Sequence, residues 1–316
     1  MWGRSGRRGR GRPPTPTSCS PTPGSSPTRW ADGKDHGMQW WVEPFLLGFQ
    51  QRALLGGLLA ALMASVVGVW LVLRGMSFFG DAFVHGVLPG IALAVVLDLN
   101  VYLGAAVAAV VMVAGIHYVH RATLLKEDTG IGLLFVGMLA LGVVIISRSS
   151  SYTGSLTSIL FGDALGVTAT DLRWQAGVVV VVLVASALLY RPFLSLSFSA
   201  TKASSLGMRP GLAHALLLVL IAVAVIGSFR TVGTLLVFGL LVGPAATAAL
   251  VSRTIPQMFV VSMVVGALSV WLGLVVSYHL QTAASATMAL VPIVLFFVIL
   301  PVTRLRRRAR ARAVTA

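Results

Sequence analysis

The chain has 316 residues, of which 57% are hydrophobic and only 10% charged. Soluble domains carry about 25% charged residues, so most of this chain must lie in lipid. Its net charge of +15 sits at the ends, with five arginines within residues 3–12 and six within 304–312; such basic ends orient a membrane protein or touch anionic lipid, and with no accompanying fold module they exclude nucleic acid as a partner.

Residues 1–37 are a low-complexity tail rich in Arg, Gly, Pro, Ser and Thr, unable to bury a core. Its one cysteine, Cys19, excludes a disulfide framework and a Cys-rich zinc motif. No apolar stretch with a cleavage site follows promptly, so it does not read as a secretory signal. Composition changes at Met38, where Trp40 and Trp41 suit a membrane interface.

Apolar runs near 53–73, 83–97, 101–119, 131–147, 174–190, 212–228, 232–251, 258–279 and 285–302 are long enough to span a bilayer. They predict an all-α polytopic bundle of eight or nine spans, with a membrane domain over 38–303 and a basic cytoplasmic tail over 304–316. The count is ambiguous because the seventh run holds Gly243 and Pro244, expected to bend or break its helix.

Alternating connections carry Arg74; Arg121 and Lys126; Arg191, Lys202 and Arg209; Arg253; and the terminal arginines, whereas the opposite set holds only Arg148, Arg173 and Arg230. The first set is therefore cytoplasmic. Nine spans would then place the N-terminus outside, where the Arg-rich tail does not belong; either one span is not a full crossing or, the favoured expectation, the true start is Met38.

The most informative stretch runs from Gly80 to Gly90, Gly-Asp-Ala-Phe-Val-His-Gly-Val-Leu-Pro-Gly. Asp81 and His85 are four residues apart, hence one turn apart on one helical face. An acid inside a membrane costs roughly 2.5–3.5 kcal/mol and usually marks a substrate or ion path. Carboxylate and imidazole together make half of a divalent-metal site, and a twofold homodimer would supply the other half. The plain alternative is that Asp81 caps a helix starting near Ala82 while His85 merely packs.

Other candidates are weaker. His117 and His120 sit at the inner end of the third run, and His214 just inside a cytoplasmic helix start. His279 lies at the outer end of the eighth run, where it is a candidate for metal access. Glu127 and Asp128 complement a helix dipole. The cytoplasmic stretch from Phe198 to Pro210 fits a short helix ended by Gly207, an ordinary loop, or a docking element for a cytosolic partner. The chain has no Gly-x-x-x-x-Gly-Lys-Ser/Thr loop, no His-Glu-x-x-His and no Gly-x-Ser-x-Gly.

Several segments together resemble the zinc/manganese ABC-transporter permeases, the ABC-3 family. They are Leu71 through Gly90, Lys126 through Gly132, Leu160 through Val167, and Val232 through Ala248, and their order and spacing match over roughly residues 43–302. The resemblance implies a type II importer-like permease of the bacterial plasma membrane, without enzymatic activity of its own. Such a permease forms a homodimer, docks a cytosolic ABC ATPase on each subunit, and receives metal from an extracytoplasmic binding protein. The family's metal pair falls on Asp81 and His85, completed by a second copy or by His279. Its ATPase-coupling helix falls on about Phe198, Thr201, Lys202, Ala203, Leu206 and Gly207. Zinc or manganese would be the transported substrate, with no cofactor bound permanently. The rival expectations are iron, a bulky iron-siderophore, haem or cobalamin cargo, or a secondary cation carrier that needs no ATPase.

Overall fold

The computed structural model describes residues 43–122, 127–147, 162, 165–198 and 210–315. The expected start at Met38 and the tail before it lie outside these residues, as does the coupling stretch after Phe198. After a short turn over Glu43–Leu46 the described chain forms eleven α-helices, and among the described residues there is no strand. They are α1 (Gly48–Leu73), α2 (Ser77–Gly86), α3 (Leu88–Val96), α4 (Val101–Ala122), α5 (Glu127–Ser147), α6 (Ala169–Leu188), α7 (Tyr190–Phe198), α8 (Pro210–Val232), α9 (Thr234–Val251), α10 (Ile255–Leu280) and α11 (Ala284–Thr315). Counting α2 and α3 as one, eight helices are long and apolar enough to cross a membrane, and α9 is a shorter ninth over 237–251. The expected eight or nine spans are therefore present.

Helix α1 is the centre of the bundle, packed by α6, α8, α9 and α10. It is apolar on every side, as a helix enclosed by others must be. Near its C-terminal end Trp70 is fully buried. The indole N–H donates to Ser186 Oγ of α6 at 2.8 Å. Three rings stand edge-on to it, Tyr190 and Phe193 of α7 at 5.5 and 5.4 Å and Phe259 of α10 at 5.2 Å. Near its N-terminal end, Gln175 of α6 donates to the Gly56 carbonyl at 3.1 Å and to Thr231 of α8 at 3.2 Å.

Local chemistry fixes the ends. Helix α1 stops in a left-handed turn at Gly75 (φ 68°), where Gly75 N–H bonds the Val72 carbonyl and Met76 N–H the Leu71 carbonyl, each at 3.1 Å. That paired closure satisfies two terminal carbonyls and aims the chain straight into α2. Pro89 then separates α2 from α3, since its ring has no donor for the carbonyl of His85 one turn back. Helix α3 crosses α4 at Gly90 and Gly104, so closely that a Cβ on either would overlap the other's carbonyl oxygen.

Three expectations need correcting. The second span starts at Ser77, not near residue 83, because Phe79, Ala82 and Phe83 are buried at 1%, 0% and 0% exposure and their packing outweighs the weak helix propensity of Gly80 and Asp81. The fifth starts at Ala169, not near 174, because Thr168 and Asp171 form a capping box: Thr168 Oγ1 accepts the Asp171 N–H at 3.2 Å and Asp171 Oδ2 accepts the Thr168 N–H at 3.1 Å. Lastly, α9 is not broken at Gly243 and Pro244 but runs through both. Thr247 Oγ1 donates to the Gly243 carbonyl at 2.9 Å, and Gly243 lies against Pro292 of α11. Neighbouring helices and Thr hydroxyls of this kind let a membrane helix tolerate proline.

Candidate metal site

Asp81 is the fifth residue of α2 and His85 the ninth, so the capping role for Asp81 is excluded: the helix begins a full turn earlier. One face of α2, carrying Phe79, Ala82 and Phe83, is fixed in the core. The other carries Phe78, Asp81 and His85 at helical spacing, and it is the open one: Phe78 is 48% exposed, and the side chains of Asp81 and His85 are 31% and 17% exposed. The pair thus stands on a partly open face inside the apolar stretch 78–96. At 1.5 Å per residue His85 lies roughly 10 Å from the N-terminal end of that stretch.

His85 Nε2 and Asp81 Oδ1 are 3.5 Å apart. That is long for a hydrogen bond, but it fits two ligands of one ion: bonds of about 2.1 Å at a tetrahedral angle separate their donor atoms by about 3.4 Å. The other ring nitrogen, Nδ1, is buried and makes no hydrogen bond among the described residues. A buried nitrogen left so costs about 1–3 kcal/mol, so packing alone gives no reason for an imidazole here.

The ring is held from the side by Phe135 of α5, edge-on at 5.6 Å, which also meets Phe78 at 5.9 Å. These two rings are part of the site and escape a sequence search, because an aromatic on an apolar helix carries no chemical signature. The signal available was Phe78 at helical spacing from Asp81 and His85.

Among the described side chains, none of the other candidates is brought to this pair. Among the described residues no group of three or more His, Cys, Asp or Glu side chains is close enough to hold a metal ion. His279 lies in the last turn of α10, its ring edge-on to Tyr278 at 5.3 Å, beside the left-handed turn at Gln281 (φ 51°). It does not complete the site within one chain. Of the coupling residues, Phe198 ends α7, and Thr201, Lys202, Ala203, Leu206 and Gly207 lie outside the described residues. Gly243 and Pro244 lie inside α9.

Comparison with known proteins agrees with this architecture. The chain is 39% identical over 250 residues to the manganese import system permease protein ScaB of Streptococcus parasanguinis, covering 79% of this chain and 89% of that one. It is 36% identical over 250 residues to the manganese transport system membrane protein MntC of Listeria monocytogenes, with the same coverage of 79% and 89%. Among solved structures it resembles PsaBC from Streptococcus pneumoniae in complex with Fab, with a TM-score of 0.74 and 33% identity, covering 83% of this chain and 94% of that one. Residues 47–303 match the family described as the ABC 3 transport family, and the chain belongs to it as a multi-pass helical permease of the bacterial cell membrane.

Proposed function

We propose that this permease is the membrane-spanning subunit of an ATP-binding-cassette importer for a divalent transition metal, and that Asp81 and His85 contact the metal in transit. The observation that carries the proposal is the pair itself: a carboxylate and an imidazole 3.5 Å apart on the open face of a membrane helix, with a buried ring nitrogen unbonded among the described residues. Both named relatives are manganese systems, which favours manganese over zinc or iron as cargo.

One chain offers two ligands, fewer than the usual four or more. A second copy related by a twofold axis through the open face of α2 supplies a second carboxylate and imidazole. ATP is hydrolysed by a separate cytosolic subunit, docked on the stretch from Phe198 to Gly207, with Thr201, Lys202, Ala203 and Leu206 between them. An extracytoplasmic binding protein delivers the ion, the basic C-terminal tail meets anionic lipid, and no cofactor is resident.

The test is uptake of manganese(II) into proteoliposomes that contain the permease and its ATPase, supplied with ATP and the loaded binding protein. Asp81→Ala and His85→Ala are expected to abolish uptake while the complex still assembles. Wild-type uptake by both variants would overturn the metal role. ATP-independent uptake would point to a secondary carrier, and transport of a chelate with none of the free ion to a bulky cargo.

A further inference from the structure

Outside the metal site, the inner end of the bundle holds a polar contact between two helices that the transport reading leaves unused. Arg74 Nη1 lies 2.8 Å from His214 Nδ1 across a sequence separation of 140 residues, with both side chains half-buried. A guanidinium has no acceptor, so it donates and the imidazole accepts, with the ring proton of His214 on Nε2.

Each end of this contact leads to a different part of the machinery. Arg74 is followed at once by the closed turn at Gly75 and Met76, which leaves no slack before α2 starts at Ser77. Asp81 and His85 are seven and eleven residues beyond Arg74 on that helix. His214 is the fifth residue of α8, which begins at Pro210, directly after the cytoplasmic stretch to which ATPase docking is assigned above. A shift of the first turn of α8 therefore reaches the root of α2 through one charged hydrogen bond and one closed turn. We propose that Arg74 and His214 are positioning residues that tie ATPase-driven movement of α8 to the helix carrying the metal pair. The inference rests on the transport reading and adds a coupling contact to it.

The test uses the complete complex in proteoliposomes, with manganese(II) as probe, and reads ions transported per ATP hydrolysed. His214→Leu and Arg74→Ala are expected to lower that ratio about fivefold or more, with complex yield and ATPase rate close to wild type. His214→Asn, whose Oδ1 takes the place of Nδ1, is expected to restore coupling. The double variant is expected to be no worse than the poorer single one, because both remove the same bond. A wild-type ratio in His214→Leu, an equal loss in His214→Asn, or losses that track poorer assembly would each overturn the inference. ATP-driven manganese uptake absent from the wild type would overturn the transport reading itself, and that is decided before any variant is compared.

Discussion

The hydrogen bond between Trp70 and Ser186 gives a sharp test of what holds the bundle around the C-terminal half of α1. The indole N–H has one acceptor, the Ser186 hydroxyl at 2.8 Å, in a place closed off by Tyr190, Phe193 and Phe259. In Ser186→Ala the buried N–H loses its partner with nothing to replace it, at a cost of about 1–3 kcal/mol. Trp70→Phe keeps an aromatic ring at the centre and removes about 40 Å³, which costs about 1 kcal/mol if the space stays empty. Its orphaned serine is less of a problem, because a helical hydroxyl can turn to the carbonyl one turn back, here that of Val182. Ser186→Ala is thus expected to match or exceed Trp70→Phe. The double variant is expected to cost less than the sum by about 1 kcal/mol, since once one partner is gone, losing the other adds little. Equilibrium unfolding in mixed detergent and dodecyl sulfate, followed by far-ultraviolet circular dichroism, measures all three without relying on tryptophan emission. Strict additivity, or a silent Ser186→Ala, would refute the assigned bond.

Three further outcomes are expected. Gly90→Ala and Gly104→Ala each push a methyl into the carbonyl of the facing helix; a loss of about 1–3 kcal/mol is expected, read as a lower unfolding midpoint, and an unchanged midpoint would place the α3–α4 crossing wrongly. Gln175→Leu removes the donor to Gly56 and Thr231, at about 1–3 kcal/mol in the same assay. Finally, in the proposed dimer a His85→Ala copy paired with a wild-type copy loses one imidazole instead of two. Its affinity for manganese(II) should lie between the two pure forms, while a mixed dimer equal to wild type would argue against a shared site.

How much of this was legible in the sequence varies with the kind of force involved. Lipid demands long apolar helices, so the spans were readable from hydropathy alone, and so was the spacing that puts Asp81 and His85 on one face. What escaped depends on neighbours far away in sequence. Gly80 and Asp81 look like a helix start, and only the burial of Phe79 and Phe83 shows that the helix is already under way. Pro244 looks like a break, and only the setting of Gly243 against Pro292 shows why the helix continues. Thr168 with Asp171 is a different case: that capping signal is in plain view in the sequence, and α6 starts there, five residues before the apolar run that hydropathy marks near 174. Phe135 and the Arg74–His214 contact join elements remote in sequence, which no single-chain pattern reveals.

The central position of α1 has a consequence for how the protein is made. The four helices that cover most of it begin at Ala169, Pro210, Thr234 and Ile255, so when α1 leaves the ribosome none of these four exists. During that interval its surface faces acyl chains. It must be stable in lipid first and in protein afterwards, as expected where insertion of individual helices precedes their association. That explains why a helix so largely buried among others carries a mean hydropathy of 2.2, like one destined for the bilayer. A charge introduced at Ala60 or Ala64 would cost roughly 2.5–3.5 kcal/mol at insertion, before any packing defect is felt. Substitutions in α1 are therefore screened twice, by the membrane while the chain is being synthesised and by the helices that arrive later.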